Sequence, residues 1–519
     1  MKLKTIVKFV SIIIFTTSIV SCSSSSSKTG SNSQSFSTKV SPVTGWKYND
    51  KKGTGMAVTS SIKGSVPPGM IAIEGGSYTI GERSESVTTP RDNQRRRITV
   101  RSFYMDQYEV RNVDWREYTA WMDVVFGKVA PELVKRAQAD GTVWREELAY
   151  NEPYIEHYFS HPSFDNYPIV GVTWEQAMDY CAWRTDRVNE SALMQKGFIK
   201  APDFASLKDN TDFDDIVNNF VFDTQKYLIS NSYQPDAGKK KPKQTVFGEP
   251  RKVNMSDGIL FPDFRLPTEA EWEFAAYGTK ASKKDKSGFI EENQTYPWKG
   301  TQVRQSPKSK NKKDRGAFMA NFVRGRGDMM GTAGALNDGA SMPAPVNWYY
   351  PNNFGLYNMA GNVNEWVLDV YRATSFDDVA EYNSFRGNIY TSSLVESVDE
   401  NGYNVYKVDS LGRIQRVTIE NGDKRSYKDG DPVSSIITDF PLLTDTTYVS
   451  HIQNMSVQID PTDVLAPKIS DNTRVYKGGS WKDRVHWLNP SSRRYLEQDQ
   501  ATNDIGFRCA MSMIGDMDI

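Results

Sequence analysis

The sequence has few of the residues on which metal and redox chemistry depends. Its 519 residues include only three cysteines and four histidines. A formal net charge of −1 gives no support to a nucleic-acid partner, which would call for a strongly basic surface. Aliphatic residues are also scarce, because hydrophobic residues make up 38% of the chain and aromatic rings account for 12%. This composition disfavours a helix bundle and favours a loop-rich fold held together by ring packing.

The N-terminus has the pattern of a processing signal. Lys2, Lys4 and Lys8 precede or interrupt an apolar stretch, Ile6 to Val20, that is too short for a permanent membrane span. The stretch ends in Ile-Val-Ser-Cys, which resembles the lipobox of bacterial lipoproteins. We therefore predict a signal peptide over residues 1–21 and acylation of Cys22. The alternative is an ordinary secretory signal with an incidental cysteine.

The segment after Cys22 is rich in serine and threonine and has little with which to build a core. It is predicted to be a tether over residues 22–66. Export to an oxidising compartment permits the two remaining cysteines, Cys181 and Cys509, to form a disulfide. Two buried free thiols are the alternative.

From residue 67 the pattern is that of a folded domain, predicted over 67–515. Alternating residues around Gly75-Gly76 predict a hairpin over 70–81, and Pro168 to Val172 reads as a buried strand. Helical spacing is expected from Val113 to Phe126. Thr173 and Thr268 are placed to cap two further helices.

Two long polar stretches interrupt this domain. They cover about residues 189–262 and 373–472 and are predicted to be insertions. The first contains a basic run around Lys239 to Lys243 that we interpret as a solvated loop.

Several short motifs occur in a fixed order along the domain. They are Ile73 to Ser77, Tyr108 to Val110, Pro168 to Trp183, Arg265 to Ala276, Gly355 to Trp366, Gly478 to Trp481 and Gly506 to Cys509. Together they resemble the sulfatase-modifying-factor domain of formylglycine-generating enzymes. The resemblance implies an α+β, C-type-lectin-like fold with much irregular structure.

A subgroup of that superfamily resembles this chain more closely. The lipobox, the tether and the segment Trp183 to Glu190 are similar to gliding-motility lipoproteins of Bacteroidetes that act with the type IX secretion system. The resemblance implies an outer-membrane lipoprotein, facing the periplasm, whose partners are other envelope proteins of that machinery.

The resemblance also allows a comparison of the catalytic positions. The enzymes use two cysteines with copper between the Gly-Gly-Ser and Gly-Phe-Arg-Cys motifs, and Asp483 and Leu488 stand at those positions here. Cuprous copper prefers soft thiolates, which a carboxylate and a leucine cannot replace. We therefore expect a pseudoenzyme without copper.

Structural calcium is a separate expectation from the resemblance. One site would use Asn358 and Glu365 side chains with the carbonyls of Gly361 and Val363. A second site would use the side chains of Asn321 and Asp338 with the carbonyls of Phe322 and Ala340. Calcium requires six to eight oxygens, so water would complete either site. Turn capping by these residues is the alternative.

Three functions follow from these observations. The first is a non-catalytic lipoprotein that builds or stabilises the gliding and secretion machinery. The second is an oxidoreductase with another metal, for which His157 and His161 would supply only two ligands. The third is a glycan- or peptide-binding module, suggested by the lectin-like fold alone.

Overall fold

A computed structural model describes residues 40–515 except 42, 54–55, 59–64, 83–92, 94, 147–149, 209, 231–232, 234, 279–293, 306–314, 325–339, 341, 373–384, 388–390, 399–403, 410–412, 419–468 and 471. Cys22, Asp338 and most of the predicted tether and second insertion lie outside these residues. The chain divides into two compact units. The smaller comprises the described part of Met1–Ser61 with Gln244–Arg251, and the larger comprises Ile62–Lys243 and Lys252–Ile519.

Helices are few in the described part of the chain. The α-helices are α1 (Asn112–Phe126), α2 (Pro131–Ala137), α3 (Glu152–His157), α4 (Trp174–Gln195), α5 (Phe213–Asp215), α6 (Thr224–Ile229) and α7 (Glu269–Tyr277). A π-helical turn, Ile216–Phe220, follows α5 directly. Short 3₁₀ turns lie at Gly141–Trp144, Pro162–Phe164, Ser206–Lys208, Met255–Asp257 and Val485–Leu488.

Short strands supply the remaining regular structure. They are β1 (Met70–Ile73), β2 (Gly76–Ile80), β3 (Arg96–Val100), β4 (Phe103–Asp106), β5 (Lys243–Gln244), β6 (Pro250–Arg251), β7 (Phe264–Arg265), β8 (Asn364–Val370), β9 (Thr391–Ser393), β10 (Val395–Val398), β11 (Asn404–Tyr406), β12 (Arg416–Thr418), β13 (Thr473–Lys477), β14 (Arg494–Glu497), β15 (Ile505–Gly506) and β16 (Ala510–Ser512). Mixed helix and sheet with long irregular connections confirms the α+β character of the domain.

Two four-stranded sheets organise the larger unit. One has the order β1-β4-β16-β7 and is antiparallel throughout. The other has the order β14-β13-β8-β15, in which only the β15–β8 pair is parallel. The last four strands therefore contribute to both sheets, β13, β14 and β15 to one and β16 to the other. Arg508, between β15 and β16, is thereby brought into the interior.

The three predicted helices are confirmed as α1, α4 and α7, and the last two begin with capping boxes at the predicted threonines. In α4, Thr173 accepts a hydrogen bond from the backbone of Gln176, whose side chain accepts one in return. Thr268 and Glu271 form the same capping box at the start of α7. These reciprocal bonds satisfy amides that the first helical turn leaves unpaired. The predicted first insertion begins inside α4, which continues to Gln195.

The predicted Gly75-Gly76 hairpin is wrong. Strand β1 pairs with β4, whereas β2 pairs with β3, so the two glycines connect strands of different sheets. The reason is close backbone approach, since a Cβ on Gly75 would lie 2.4 Å from the Val100 carbonyl oxygen. Glycine serves here to cross between sheets and not to reverse the chain.

The predicted buried strand at 168–172 is also wrong in part. Pro168, Ile169, Val170 and Val172 are buried, but only one bridge, from Arg111 to Pro168, pairs this segment. The amide of Gly171 instead bonds to the Thr502 carbonyl. The apolar run thus predicted burial correctly, but the predicted strand pairing is absent from this segment apart from that bridge. Periodicity carries no information about the pairing partner.

Aromatic packing fills the core, as the composition predicts. The ring centroids of Trp115 and Tyr180 lie 5.5 Å apart, and Phe507 meets both rings edge-on. Helices α1 and α4 are thereby fixed against the last motif of the chain. No helix among the described residues is both long and apolar enough to cross a membrane.

Candidate functional site

A fully buried ion pair lies at the centre of the larger unit. Glu365 on β8 and Arg508 have no exposed side-chain surface. Arg508 donates through Nε to Oε2 at 2.6 Å and through Nη2 to Oε1 at 2.5 Å. The indole of Trp272 on α7 also donates to Oε2, at 2.7 Å. Both oxygens of Glu365 are therefore engaged.

A second carboxylate, Glu109, is buried beside this pair. It accepts hydrogen bonds from the side-chain amides of Asn358, at 2.8 Å, and Asn362, at 3.0 Å. Burial and the neighbouring charge of Glu365 raise the pKa of Glu109 to about 8, against the opposing effects of Arg508 and the two amides. Arg508 is hydrogen-bonded to Glu365 and not to Glu109, so the raised pKa favours a protonated Glu109 at neutral pH.

The loop that presents these amides has an unusual backbone. Asn358, Gly361 and Asn362 all have positive φ angles, at 52°, 77° and 70°. A side chain on Gly361 would collide with the Asn321 carbonyl, because its Cβ would lie 2.4 Å from that oxygen. The Asn362 amide donates to the same carbonyl at 3.0 Å. The loop therefore brings residues of both predicted calcium sites together.

The first predicted calcium site fits the cation poorly as it stands. Glu365 is bound by Arg508 and Trp272, and a guanidinium beside a calcium ligand would repel the ion. Asn358 directs its amide nitrogen to Glu109 and to the Val346 carbonyl. The carbonyls of Gly361 and Val363 accept no hydrogen bond from described residues and remain available.

The second predicted site fits better at Asn321. Its Oδ1 is buried without a hydrogen-bond partner, whereas its Nδ2 donates to the Met342 carbonyl at 2.9 Å. An orphaned buried oxygen is costly unless something binds it. Phe322 is buried and Ala340 is half-buried, but Asp338 lies outside the described residues. Among those residues, no group of three or more His, Cys, Asp or Glu could hold a metal.

The position predicted to replace the first catalytic cysteine holds a fixed carboxylate. Asp483 accepts from Arg494 Nη1 at 2.7 Å and Nη2 at 2.6 Å, and from the amide and hydroxyl of Ser480. Burial works to raise the pKa of Asp483, but the bonds and charge of Arg494 outweigh it and lower the pKa. The carboxylate is therefore ionised, and both of its oxygens accept hydrogen bonds.

Leu488, at the second such position, is a core residue. It has no exposed surface and packs with Phe318, Phe322 and Ala360. Ser480 donates its hydroxyl proton to Asp483 at 2.7 Å and lies 3.1 Å from an Asp504 oxygen. The described hydrogen bonds of this serine side chain go to carboxylates, and none of them involves an imidazole that could act as a base.

The two domain cysteines meet in the core. Their Sγ atoms lie 3.5 Å apart and both are free thiols. That separation exceeds the ~2.05 Å of a disulfide bond. The adjacency permits oxidation, so the disulfide remains a prediction. Because both are fully buried, neither thiol is presented to a substrate.

The histidine pair does not share one helix face. His157 ends α3, whereas His161 lies beyond it and accepts a hydrogen bond from the Ser163 amide through Nδ1. Their ring centroids are 6.3 Å apart. No third histidine, cysteine or carboxylate completes a cluster with them in the described part of the chain.

A second buried network was not anticipated. Lys477, at the end of β13, has no exposed side-chain surface and contacts Glu269 at 3.1 Å and Glu273 at 2.9 Å. Arg493 also donates to Glu269, at 2.7 Å. Burial would raise the pKa of Glu269, but Arg493 and Lys477 lower it to about 2. A lysine directly before Gly-Gly-Ser was the available sequence signal for this network.

These features belong to a recognised class of domain. The profile of the FGE-sulfatase family, described as the sulfatase-modifying factor enzyme 1-like domain, matches residues 57–513. The chain therefore belongs to this family, as its motifs predict.

Individual relatives include active and inactive proteins. The chain is 26% identical to the formylglycine-generating enzyme of Mus musculus over 58% of each chain. It is 24% identical to the inactive C-alpha-formylglycine-generating enzyme 2 of Bos taurus, over 59% of this chain and 73% of that one. The chaperone protein LppX of Paenibacillus barcinonensis is 22% identical over 60% and 75% of the two chains.

The chain spans less than two thirds of the length of the first of these curated relatives. Among solved structures, PvdO from Pseudomonas aeruginosa aligns over 88% of this chain and all of its own, with a TM-score of 0.40 and 14% identity.

Proposed function

We propose that this protein is a non-catalytic member of the family that supports a protein assembly of the bacterial envelope. The observation that carries the proposal is the state of Asp483 and Leu488. One is fixed by Arg494 and Ser480, and the other is a core residue beside Phe322. Neither offers the thiolate that the family's copper chemistry needs. The existence of a relative named as inactive is compatible with this proposal.

The particular assembly is proposed from the sequence. The lipobox at Cys22, the tether and the Trp183 to Glu190 segment favour a gliding-motility and type IX secretion lipoprotein of the GldJ type, related to GldK and PorK. Acylated Cys22 would anchor the domain to the outer membrane at its periplasmic face. Several acyl chains, at about 0.8 kcal/mol per buried methylene, make such an anchor stable.

Affinity purification from detergent-solubilised envelopes tests this function. A tagged full-length chain is expected to recover a stoichiometric set of other envelope proteins. A Cys22→Ala variant, which cannot be acylated, is the matched control and should recover fewer. Isolation of the tagged chain as a monomer from wild-type envelopes would contradict the proposal.

We also propose a structural calcium ion at the Asn321 site. A ligand that binds only the folded state raises the unfolding temperature, and the stabilisation grows with the logarithm of its concentration above the dissociation constant. Calcium should therefore raise the unfolding temperature relative to chelator, and magnesium should not. The Asn321→Ala variant should lose the response, whereas Asn219→Ala, at an exposed asparagine in another region, should keep it. An equal response in Asn321→Ala would refute calcium at this site.

A further inference from the structure

The basic run Lys239 to Lys243 is held against the C-terminal end of α4. The amide of Gly238 donates to the Phe198 carbonyl at 2.9 Å. The amide of Lys240 donates to the Gly197 carbonyl at 2.8 Å. Close approach requires a glycine here, since a Cβ on Gly238 would lie 2.3 Å from the Gly197 carbonyl oxygen. The backbone of the run therefore has a fixed position beside the helix.

Positive charge on this part of the surface is not compensated. Four exposed lysines have no carboxylate within ion-pair distance in the described part of the chain, namely Lys196, Lys239, Lys240 and Lys241. The first of them follows α4 directly and precedes Gly197. Two neighbouring lysines are paired instead. Lys200 lies 3.6 Å from Asp236, and Lys243 lies 3.7 Å from Asp257. The four unpaired lysines form what we call the lysine face.

The lysine face offers charge and little apolar surface. The ammonium group of Lys240 lies 4.8 Å from the centroid of the Phe198 ring, and that of Lys243 lies 5.9 Å from it. Phe198 itself is buried and packs in the core of the first insertion. No large apolar side chain is therefore presented between the charges. Such a face suits a contact with an anionic surface in water and not the burial of an apolar partner.

The kind of charged group favours a lipid surface. All four groups are ammonium ions on flexible stems, and each is a compact charge that imposes no fixed geometry. Arginine forks are better suited to the fixed carboxylates of a folded acidic partner. The phosphates of a fluid bilayer have no fixed arrangement, and clustered lysines are attracted to anionic headgroups. The predicted acylation of Cys22 would keep the domain close to such a surface.

We propose that the lysine face binds the phosphate groups of anionic phospholipids in the membrane that holds the Cys22 anchor. The inference rests on the proposed function, which supplies that anchor. The acyl chains hold the protein on the membrane, so the lysine face is not needed for retention. It sets the orientation of the larger unit instead. The end of α4 faces the bilayer, and the remaining surface stays open to other envelope proteins.

Lysine acetylation of the full-length chain on vesicles tests the inference. The protein would be reconstituted into neutral phosphatidylcholine vesicles or into vesicles that also contain phosphatidylglycerol, and the labelling of each lysine followed by mass spectrometry. Labelling of Lys239, Lys240 and Lys241 should be slower by about fivefold or more on the anionic vesicles. Lys135, exposed on α2, should be labelled equally on both. About 1 M salt, with a Debye length of ~3 Å, should remove the difference.

Charge reversal identifies the surface. In the triple variant Lys239→Glu/Lys240→Glu/Lys241→Glu, the remaining Lys196 should be labelled equally on neutral and anionic vesicles. The matched control reverses three exposed lysines elsewhere, as Lys135→Glu/Lys299→Glu/Lys407→Glu, and has the same net charge. It should keep the protection of the lysine face, because that protection depends on the clustering of the charges and not on their total.

Three results would overturn the inference. The first is equal labelling of the wild-type lysine face on the two kinds of vesicle, and the second is equal protection of Lys196 in the triple variant and wild type. The third is protection by an added polyglutamate peptide on neutral vesicles with none on anionic vesicles, which would assign the face to an acidic protein.

The vesicle experiment is independent of the test of the proposed function, because the vesicles contain no other protein. Recovery of an envelope complex together with equal labelling on both vesicles would refute only the lipid contact. Isolation of the tagged chain as a monomer from wild-type envelopes would contradict the proposed function, whatever the labelling shows.

Discussion

Two arginine–carboxylate pairs in this domain share a bidentate geometry but differ in their surroundings. Arg508 and Glu365 are fully buried, whereas the side chains of Arg494 and Asp483 are 18% and 13% exposed. The first pair lies beside a second buried carboxylate, Glu109. The second is surrounded by Ser480 and Asn364, which donate to Asp483.

The difference separates the buried frame of the domain from the position predicted to replace a catalytic cysteine. Arg508 connects the last motif of the chain to β8 and, through Tyr357 and Asp106, to two other segments. Arg494 and Asp483 connect the turn at Ser480 to Asn364 at the start of β8 and lie closer to the surface. We infer that the stability of the fold depends more on the Arg508–Glu365 pair than on the Arg494–Asp483 pair.

The largest expected effect is at Arg508. Arg508→Met leaves Glu365 and Glu109 buried without a guanidinium, which should lower the free energy of unfolding by about 3–5 kcal/mol. Urea unfolding measures this change. Arg136→Met removes a partner from an ion pair whose arginine is 60% exposed, and it should have a much smaller effect. Similar losses in both variants would show that the central pair is not part of the frame.

A disulfide between Cys181 and Cys509 should have the next largest effect. If it forms in the exported protein, reduction should lower stability by about 2–4 kcal/mol, because the bridge closes a very long loop. Thiol titration of denatured protein should reveal two additional thiols only after reduction. The double variant Cys181→Ala/Cys509→Ala should not respond to reductant. Titration of both thiols without reduction would contradict the disulfide.

The Glu109 carboxyl should make stability depend on pH. Its pKa is raised to about 8, so the folded protein retains a proton that the unfolded chain releases near pH 4–5. Stability should therefore fall as pH rises from about 5 to 8, by at most about 1.4 kcal/mol per pH unit. Glu109→Gln should flatten this slope, and the exposed Glu117→Gln should not. An unchanged slope in Glu109→Gln would show that a group other than Glu109 binds this proton.

Asp483→Asn should have the smallest effect. The amide keeps the shape of the side chain and some of its hydrogen bonds but loses the charge opposite Arg494. We expect a loss of about 1 kcal/mol, measured by thermal unfolding. Asp499→Asn, at an exposed aspartate, is the control. A loss as large as that of Arg508→Met would remove the distinction between the two pairs.

Local signals predicted the local structure well. Thr173 and Thr268 each begin a helix through a capping box, and apolar spacing placed Trp115 and Tyr118 in the core. The same logic failed at Gly75-Gly76, where a turn-like dipeptide connects two sheets. A glycine pair signals an unusual backbone, but its cause can lie in a distant strand.

The central cluster could not be assembled from spacing. Glu109 and Asn358 are 249 residues apart, and Glu365 and Arg508 are 143 apart. Only the family resemblance placed the motifs of these residues in one domain. It predicted Glu365 as a calcium ligand, because the sequence does not show that Arg508 binds this carboxylate. A buried arginine occupies the acceptor sites of a carboxylate, and sequence patterns do not record that pairing.

Metal content and turnover of the full-length chain test the central claim most directly. The protein would be purified anaerobically in detergent, its bound metals measured, and its ability to oxidise a cysteine-containing peptide assayed with dioxygen. We expect no stoichiometric copper or iron and no turnover. Either a stoichiometric redox metal or oxidation of the peptide would contradict a non-catalytic role and would reopen the chemistry of the Asp483 site.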